Sequence, residues 1–135
     1  MKKIMIYIAI GLIAVILVVL VVSLLNPLRK PDEKIRDDIL KITPIGMNME
    51  EVLKVIENKK SWRLDYVNDD GGYTIYGQGG APDIYVGDKS IEAQIGTYIE
   101  FGYGMPFRAD VITSWGFDKN LKLVNLQVIT EIDGL

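Results

Sequence analysis

Few side chains in this 135-residue chain stand where chemistry would need them. Asn68-Asp69-Asp70-Gly71 has the acidic, glycine-closed opening of a calcium loop. The D-x-D-x-D-G-x5-E ladder of oxygen ligands is absent, so the stretch reads as a solvated hairpin turn. Gly77-Gln78-Gly79-Gly80 offers backbone amides to a phosphate. No Lys-Ser/Thr follows and no helix opens from it, so it reads as a plain loop. Glu92 and Glu100 are a candidate carboxylate pair on the polar phase of one strand. A straight strand places them about 27 Å apart, whereas paired-carboxylate glycoside hydrolysis needs roughly 5–10 Å. Serine and lysine combine in no recognisable nucleophile motif. Histidine is absent, which removes the usual general base and the usual transition-metal ligand. Cysteine is absent too, which removes thiol nucleophiles, thiolate zinc, iron–sulfur clusters, disulfides and lipidated cysteines. The chain is expected to be non-enzymatic, with no catalytic residue, no cofactor and no metal site.

The aromatic pattern carries more. Tyr66, Tyr73, Tyr76, Tyr85, Tyr98 and Tyr103 fall within one short stretch. Tyrosine is enriched at binding surfaces because it joins apolar area to a polar tip; sheet propensity with partial burial is the plainer explanation. Tyr76 and Tyr98 read as outward on their strands, with Tyr85 and Tyr103 in glycine-bordered loops (77–90 and 102–108). These four residues form the candidate binding surface. Trp62 and Trp115 lie on inward phases and read as core.

The elements that position these residues begin with an anchor. Residues Ile4 to Leu25 contain no charge, and 16 of the 22 are Ile, Leu or Val. As a helix the run spans roughly 33 Å, close to a bilayer's hydrocarbon thickness. Insertion is favourable by several kcal/mol, at about −0.3 to −0.6 kcal/mol per Ile, Leu or Val near the centre. Val21-Val22-Ser23 makes a poor cleavage site and more leucine follows, so an uncleaved signal anchor is favoured over a signal peptide. With no ionisable group in the run, it reads as a passive tether. Lys2 and Lys3 precede it. Arg29, Lys30, Lys34 and Arg36 follow, so positive charge alone does not set orientation. A short tail before a long apolar run resembles an ordinary signal anchor, which places the domain outside.

After residue 26 there are 13 Lys+Arg against 18 Asp+Glu, a net of −5. An acidic domain without basic clusters is a poor nucleic-acid ligand, so no nucleic acid is expected. Pro31-Asp32 opens a short helix with Ile35, Ile39 and Ile42 on one face. Thr43-Pro44-Ile45-Gly46 breaks it. Asn48 and Glu51 make a capping box for a second helix over about 48–59, with Met49, Val52, Leu53 and Ile56 as its apolar stripe. The period then becomes two. Trp62, Leu64 and Tyr66 predict a strand with one buried face, turned at 68–72 into a returning strand at 73–76. Gly77 to Asp88 reads as loop. Ile91, Ala93, Ile95, Thr97 and Ile99 predict a longer inward phase, broken at 102–106. Val111, Thr113, Trp115 and Phe117 predict the next, and 122–132 the last strand, central or bulged because Leu123 and Val124 are adjacent.

The fold class is therefore α+β: an N-terminal transmembrane helix, then two short helices packed on an antiparallel sheet of four to five strands. Residues 1–26 are the anchor, 27–47 the juxtamembrane segment and first short helix, and 48–135 the helix-plus-sheet domain.

Thr43-Pro-Ile-Gly-Met-Asn-Met-Glu-Glu-Val-Leu resembles the helix-start motif of the SmpA/OmlA (BamE-like) bacterial envelope family. Trp115-Gly-Phe-Asp-Lys-Asn-Leu-Lys-Leu-Val resembles that family's final hairpin, and resembles more closely a group of small membrane-anchored bacterial proteins. The resemblance spans about residues 43–64 and 109–132. It implies two helices followed by an antiparallel sheet, held at a membrane of the cell envelope. The lipid-bearing cysteine of the family's outer-membrane members has no counterpart here, and no functional residue carries over.

The expected function is a single-pass, non-enzymatic, extracytoplasmic domain on the cell membrane. It meets the bilayer through residues 4–25 and binds another membrane or envelope protein, or an envelope component. A small carboxylate-dependent hydrolase or carbohydrate-active domain is one alternative, and a structural or inhibitor-like module another.

Overall fold

Lipid-compatible and water-compatible segments separate cleanly along the chain. The computed structural model describes residues 1–102 and 104–133. Helix α1 (Lys2–Leu24) is apolar all round, and none of it is covered by the rest of the protein strongly enough to count as core. It is long and apolar enough to cross a membrane. Asn26 ends it by accepting Leu28 N–H on its side chain (3.0 Å), which starts a single 3-10 turn at Pro27–Arg29.

Two short amphipathic helices follow, α2 (Asp32–Leu40) and α3 (Met49–Asn58). Asp32 and Glu33 lie in the first turn of α2, and Ile35 and Ile39 are its buried residues. The expected third member, Ile42, falls beyond the helix and is exposed. At α3 the capping box is present: Asn48 Oδ1 accepts from Glu50 N–H (3.0 Å), and Glu51 Oε2 accepts from Asn48 N–H (3.2 Å). Asn48→Ala should cost about 1 kcal/mol, read as a lower urea midpoint of the detergent-solubilised chain. An unchanged midpoint would mean that packing alone holds the start of α3.

The strands are β1 (Arg63–Asn68), β2 (Tyr73–Ile75), β3 (Ile84–Val86), β4 (Lys89–Gly102), β5 (Met105–Phe117) and β6 (Leu123–Ile132). A four-stranded antiparallel sheet has the order β1-β4-β5-β6, and β2 and β3 form a separate two-stranded sheet. The fold is α+β. One face of the larger sheet carries Ile91, Ala93, Val111, Trp115, Leu126 and Val128 against Ile35, Ile39, Met49, Val52 and Ile56 of both helices. Trp115 is wholly buried at its centre. Its indole N–H donates to Thr43 Oγ1 (3.1 Å), and its ring lies 6.0 Å from that of Trp62.

Three register shifts correct the expected strand faces. Asp65 is an extra residue between the pairs Leu64↔Ala93 and Tyr66↔Glu92. Tyr66 therefore turns away from the helices and is exposed, and of the expected buried face Trp62 is partly buried while Leu64 is exposed at this edge of the sheet. Ile95 is extra between Gln94↔Ile112 and Gly96↔Val111. Beyond it the phase reverses, so Ile99 is exposed and Tyr98 packs toward the core, opposite to expectation. A bulge puts two residues against one, and every later side chain changes face. Val124 is the third extra residue, between Gly116↔Asn125 and Phe117↔Leu123. The last strand is thus bulged, and it lies at an edge of the sheet rather than its centre.

Two more expectations change. The segment 77–88 is not all loop, because Ile84–Val86 is β3 and pairs with β2. The residues 73–76 accordingly do not return along β1. The expected break at 102–106 shrinks to a tight connection, since β4 runs through Gly102 and β5 resumes at Met105.

Candidate functional site

The face of the sheet opposite the helices is partly roofed by β2 and β3. What permits this is Gly116. It sits between the core residues Trp115 and Phe117 and so points to the other face. A Cβ there would lie 2.8 Å from the Val86 carbonyl oxygen, 2.9 Å from Val86 Cγ1 and 3.0 Å from Tyr73 Cε1. Tyr73 and Val86 are buried in that contact, apart from the main core. Asp88 N–H donates to the Phe117 carbonyl (2.7 Å) and Ser90 Oγ to the Gly71 carbonyl (3.1 Å), fastening both ends of the roof.

Beside the roof a groove of about 260 Å³ opens on the sheet, lined by Tyr66, Tyr73, Tyr76, Glu92, Ser114 and Ile129 among others. Glu92 is its polar centre. Its Oε2 accepts from Tyr66 Oη (3.3 Å) and Ser114 Oγ (3.1 Å). Partial burial, and secondarily the Glu92 carboxylate, raise the Tyr66 pKa above its ordinary value. Tyr73 goes further: its hydroxyl is buried without a protein partner, and desolvation pushes its pKa up to about 12. The groove can receive an apolar or aromatic side chain, with tyrosine rims and the Glu92 carboxylate as an acceptor. It is smaller than the roughly 300–1,000 Å³ of small-molecule sites.

No family model, no curated protein and no solved structure matches this chain.

The four expected binding tyrosines are not brought together. Tyr76 is 74% exposed and lines the groove. Tyr85 is 77% exposed on β3, opposite Thr74. Tyr98 is on the helix side, under the Arg29 guanidinium, which stands 4.9 Å from its ring centroid. Tyr103 lies outside the described residues. Sequence reasoning missed Tyr66 and Glu92 as partners on one face. The signals available were Gly116 between two aromatics and the polar phase of β4 before its bulge.

Asn68–Gly71 is a turn in which Asp70 N–H donates to Asn68 Oδ1 (3.1 Å) and Asp69 pairs with Lys89 (3.1 Å). Among the described residues no group of three or more Asp or Glu is arranged to hold a metal ion. Gly77 N–H donates to Asp83 Oδ1 (2.9 Å) within the β2–β3 connection, and no helix follows. Glu92 and Glu100, expected on one face, lie on opposite faces because the Ile95 bulge separates them. Glu100 pairs with Arg29 at 3.3 Å on the helix side.

Proposed function

We propose that this chain is a single-pass membrane protein whose domain, outside the cytoplasm, binds another protein through the outer sheet face. The groove beside the β2–β3 roof carries this reading. It gathers Tyr66, Tyr73 and Tyr76 around Glu92 on a sheet face that no helix covers. Aromatic side chains around a desolvated centre are the usual anatomy of a docking surface. The length and composition of α1 support anchoring. The resemblance to SmpA/OmlA-like envelope proteins supports the location.

The carboxylate positions favour a binding role over hydrolysis. Glu131 is the groove's other acid. Across the ladder it stands two strands from Glu92 and four residues along from Gln127, the neighbour of Ser114. That is roughly 13 Å along the sheet and 10 Å across it, beyond the separation at which two carboxylates share one glycosidic bond.

The test places a photo-crosslinking amino acid at Tyr76 in the full-length chain in its native membrane. A discrete adduct is expected from position 76 and not from Val124, and Tyr66→Ala should remove it. Equal, diffuse labelling at both positions would refute the groove as a docking surface. Externally added protease should digest the domain in intact spheroplasts, and full protection would reverse the orientation.

A further inference from the structure

The β4–β5 hairpin extends past the strands that flank it, and its outer part meets the end of α1 through Arg29. Arg29 fixes this relation. Its guanidinium contacts Ser23 Oγ in the last turn of α1 (3.4 Å), the Glu100 carboxylate (3.3 Å) and the Ile99 carbonyl, and it stacks over Tyr98. Leu28 reinforces it by filling the space above Gly96, where a Cβ would stand 2.4 Å from Leu28 Cδ1. Ser23 alone among the described side chains of α1 is of intermediate burial, and the others are exposed. The end of α1 is therefore level with Ile99 and Glu100. The buried core at Ile91, Trp115 and Leu126 lies toward the other end of the sheet. The free end of the hairpin thus extends past the level at which α1 ends.

Among the described side chains at and beyond that level, Ile99 is 47% exposed, Phe101 66% and Met105 62%, with exposed Pro106 following. Arg108, paired in register with Ile99 and ion-paired with Asp110 (2.8 Å), stands at the height of Arg29, itself ion-paired with Glu100. At ~3.3 Å per residue Phe101 stands roughly 7 Å past Ile99, a reach comparable to a headgroup layer of about 5–8 Å. An apolar tip bordered by arginine–carboxylate pairs is the pattern of a segment that dips into the interface while its charged groups stay with the headgroups. A few side chains at a hairpin tip fall well short of the roughly 800 Å² per partner of a stable protein interface. Continuity with α1 therefore favours lipid as the occupant.

We propose that the β4–β5 hairpin tip is a second membrane contact, with Ile99, Phe101 and Met105 inserted in the interface of the bilayer that α1 crosses. The inference rests on α1 being a membrane anchor. Two contacts joined by Arg29 hold the domain at a fixed tilt and so hold the outer-face groove at a fixed height above the lipid.

The chain has no cysteine, so Phe101→Cys, Met105→Cys and Val124→Cys each accept a single nitroxide label. The full-length variants are reconstituted in vesicles of equal parts phosphatidylcholine and phosphatidylglycerol and floated on a density gradient. Oxygen and a water-soluble nickel chelate are then compared as relaxing agents. Labels at 101 and 105 should favour oxygen several-fold more than the label at 124. Vesicle-bound protein with equally wet labels at all three positions overturns the inference and leaves the anchor standing. Spin–spin broadening at 101 and 105 without a depth signal means that tips pair between copies, and it overturns the inference as well. Protein that fails to float removes the anchor and the inference together.

Discussion

Trp115→Ala is expected to destabilise the domain by about 3–5 kcal/mol, the usual loss when a buried tryptophan is truncated. Trp115 is fully buried in the core that the sheet forms with both helices. For a domain of this size each kcal/mol shifts the thermal midpoint by about 4–8 °C, so Tm should fall by well over 10 °C. Trp115→Phe separates packing from polarity. It keeps a ring in the core and deletes the N–H donated to Thr43. Thr43 Oγ1 still donates to the Ile39 carbonyl (3.1 Å), so no buried donor is stranded and the expected cost is only about 1–2 kcal/mol. Urea unfolding followed by far-ultraviolet circular dichroism measures both. An Ala variant within about 1 kcal/mol of the parent would show that the core closes without the indole.

The same tryptophan shows what the sequence makes legible. Val111, Thr113, Trp115 and Phe117 alternate without interruption, and all four are buried as alternation requires. The capping box at Asn48 and Glu51 was equally readable, because both halves of a local motif lie within one turn of chain. What local patterns do not contain is the point at which a ladder gains a residue. The Asp65 and Ile95 bulges leave composition untouched, yet they send Tyr66 outward and Tyr98 inward. A period-two count continued through either site assigns every later side chain to the wrong face.

The candidate site suffered most from this, since it is assembled across strands. Tyr66, Glu92 and Ser114 converge only through the pairings β1–β4 and β4–β5. The β3 strand was hidden for a different reason: three residues among glycines carry too little periodicity to register, and β3 is held by β2 and Gly116 rather than by its own propensity. Tyr98, expected to face outward on the binding surface, instead packs on the helix side. Its partner is Arg29 of the same chain, so it braces the juncture between α1 and the sheet instead of facing outward.

Gly116→Val should lift the β2–β3 roof, and Tyr73 reports whether it does. The valine side chain would begin within 3.0 Å of Val86 and Tyr73, and the Val86 carbonyl is backbone that cannot rotate aside. Overpacking of this kind costs about 1–3 kcal/mol. The tyrosinate absorbance band should register the change directly. In the parent, Tyr73 is held up to about 12 by burial, whereas an open roof returns it toward the ordinary 10.0. The linkage sign follows from a proton held more tightly in the folded state. The parent keeps the full contribution of Tyr73 below pH 10 and loses it as pH rises toward 12. At ~1.4 kcal/mol per pKa unit this amounts to roughly 2–3 kcal/mol across that window. Gly116→Val starts less stable but should lack that alkaline loss. Tyr73→Phe supplies the complementary case: the ring stays, the unpartnered hydroxyl goes, and the domain should keep its neutral-pH stability while losing the same alkaline slope. If Gly116→Val leaves the high Tyr73 titration in place, the gap at Gly116 is not what seats the roof. The groove at Tyr66, Tyr76 and Glu92 would then owe its shape to the Asp88 and Ser90 hydrogen bonds at the roof's ends, and substitution of Ser90 by Ala would be the change that opens it.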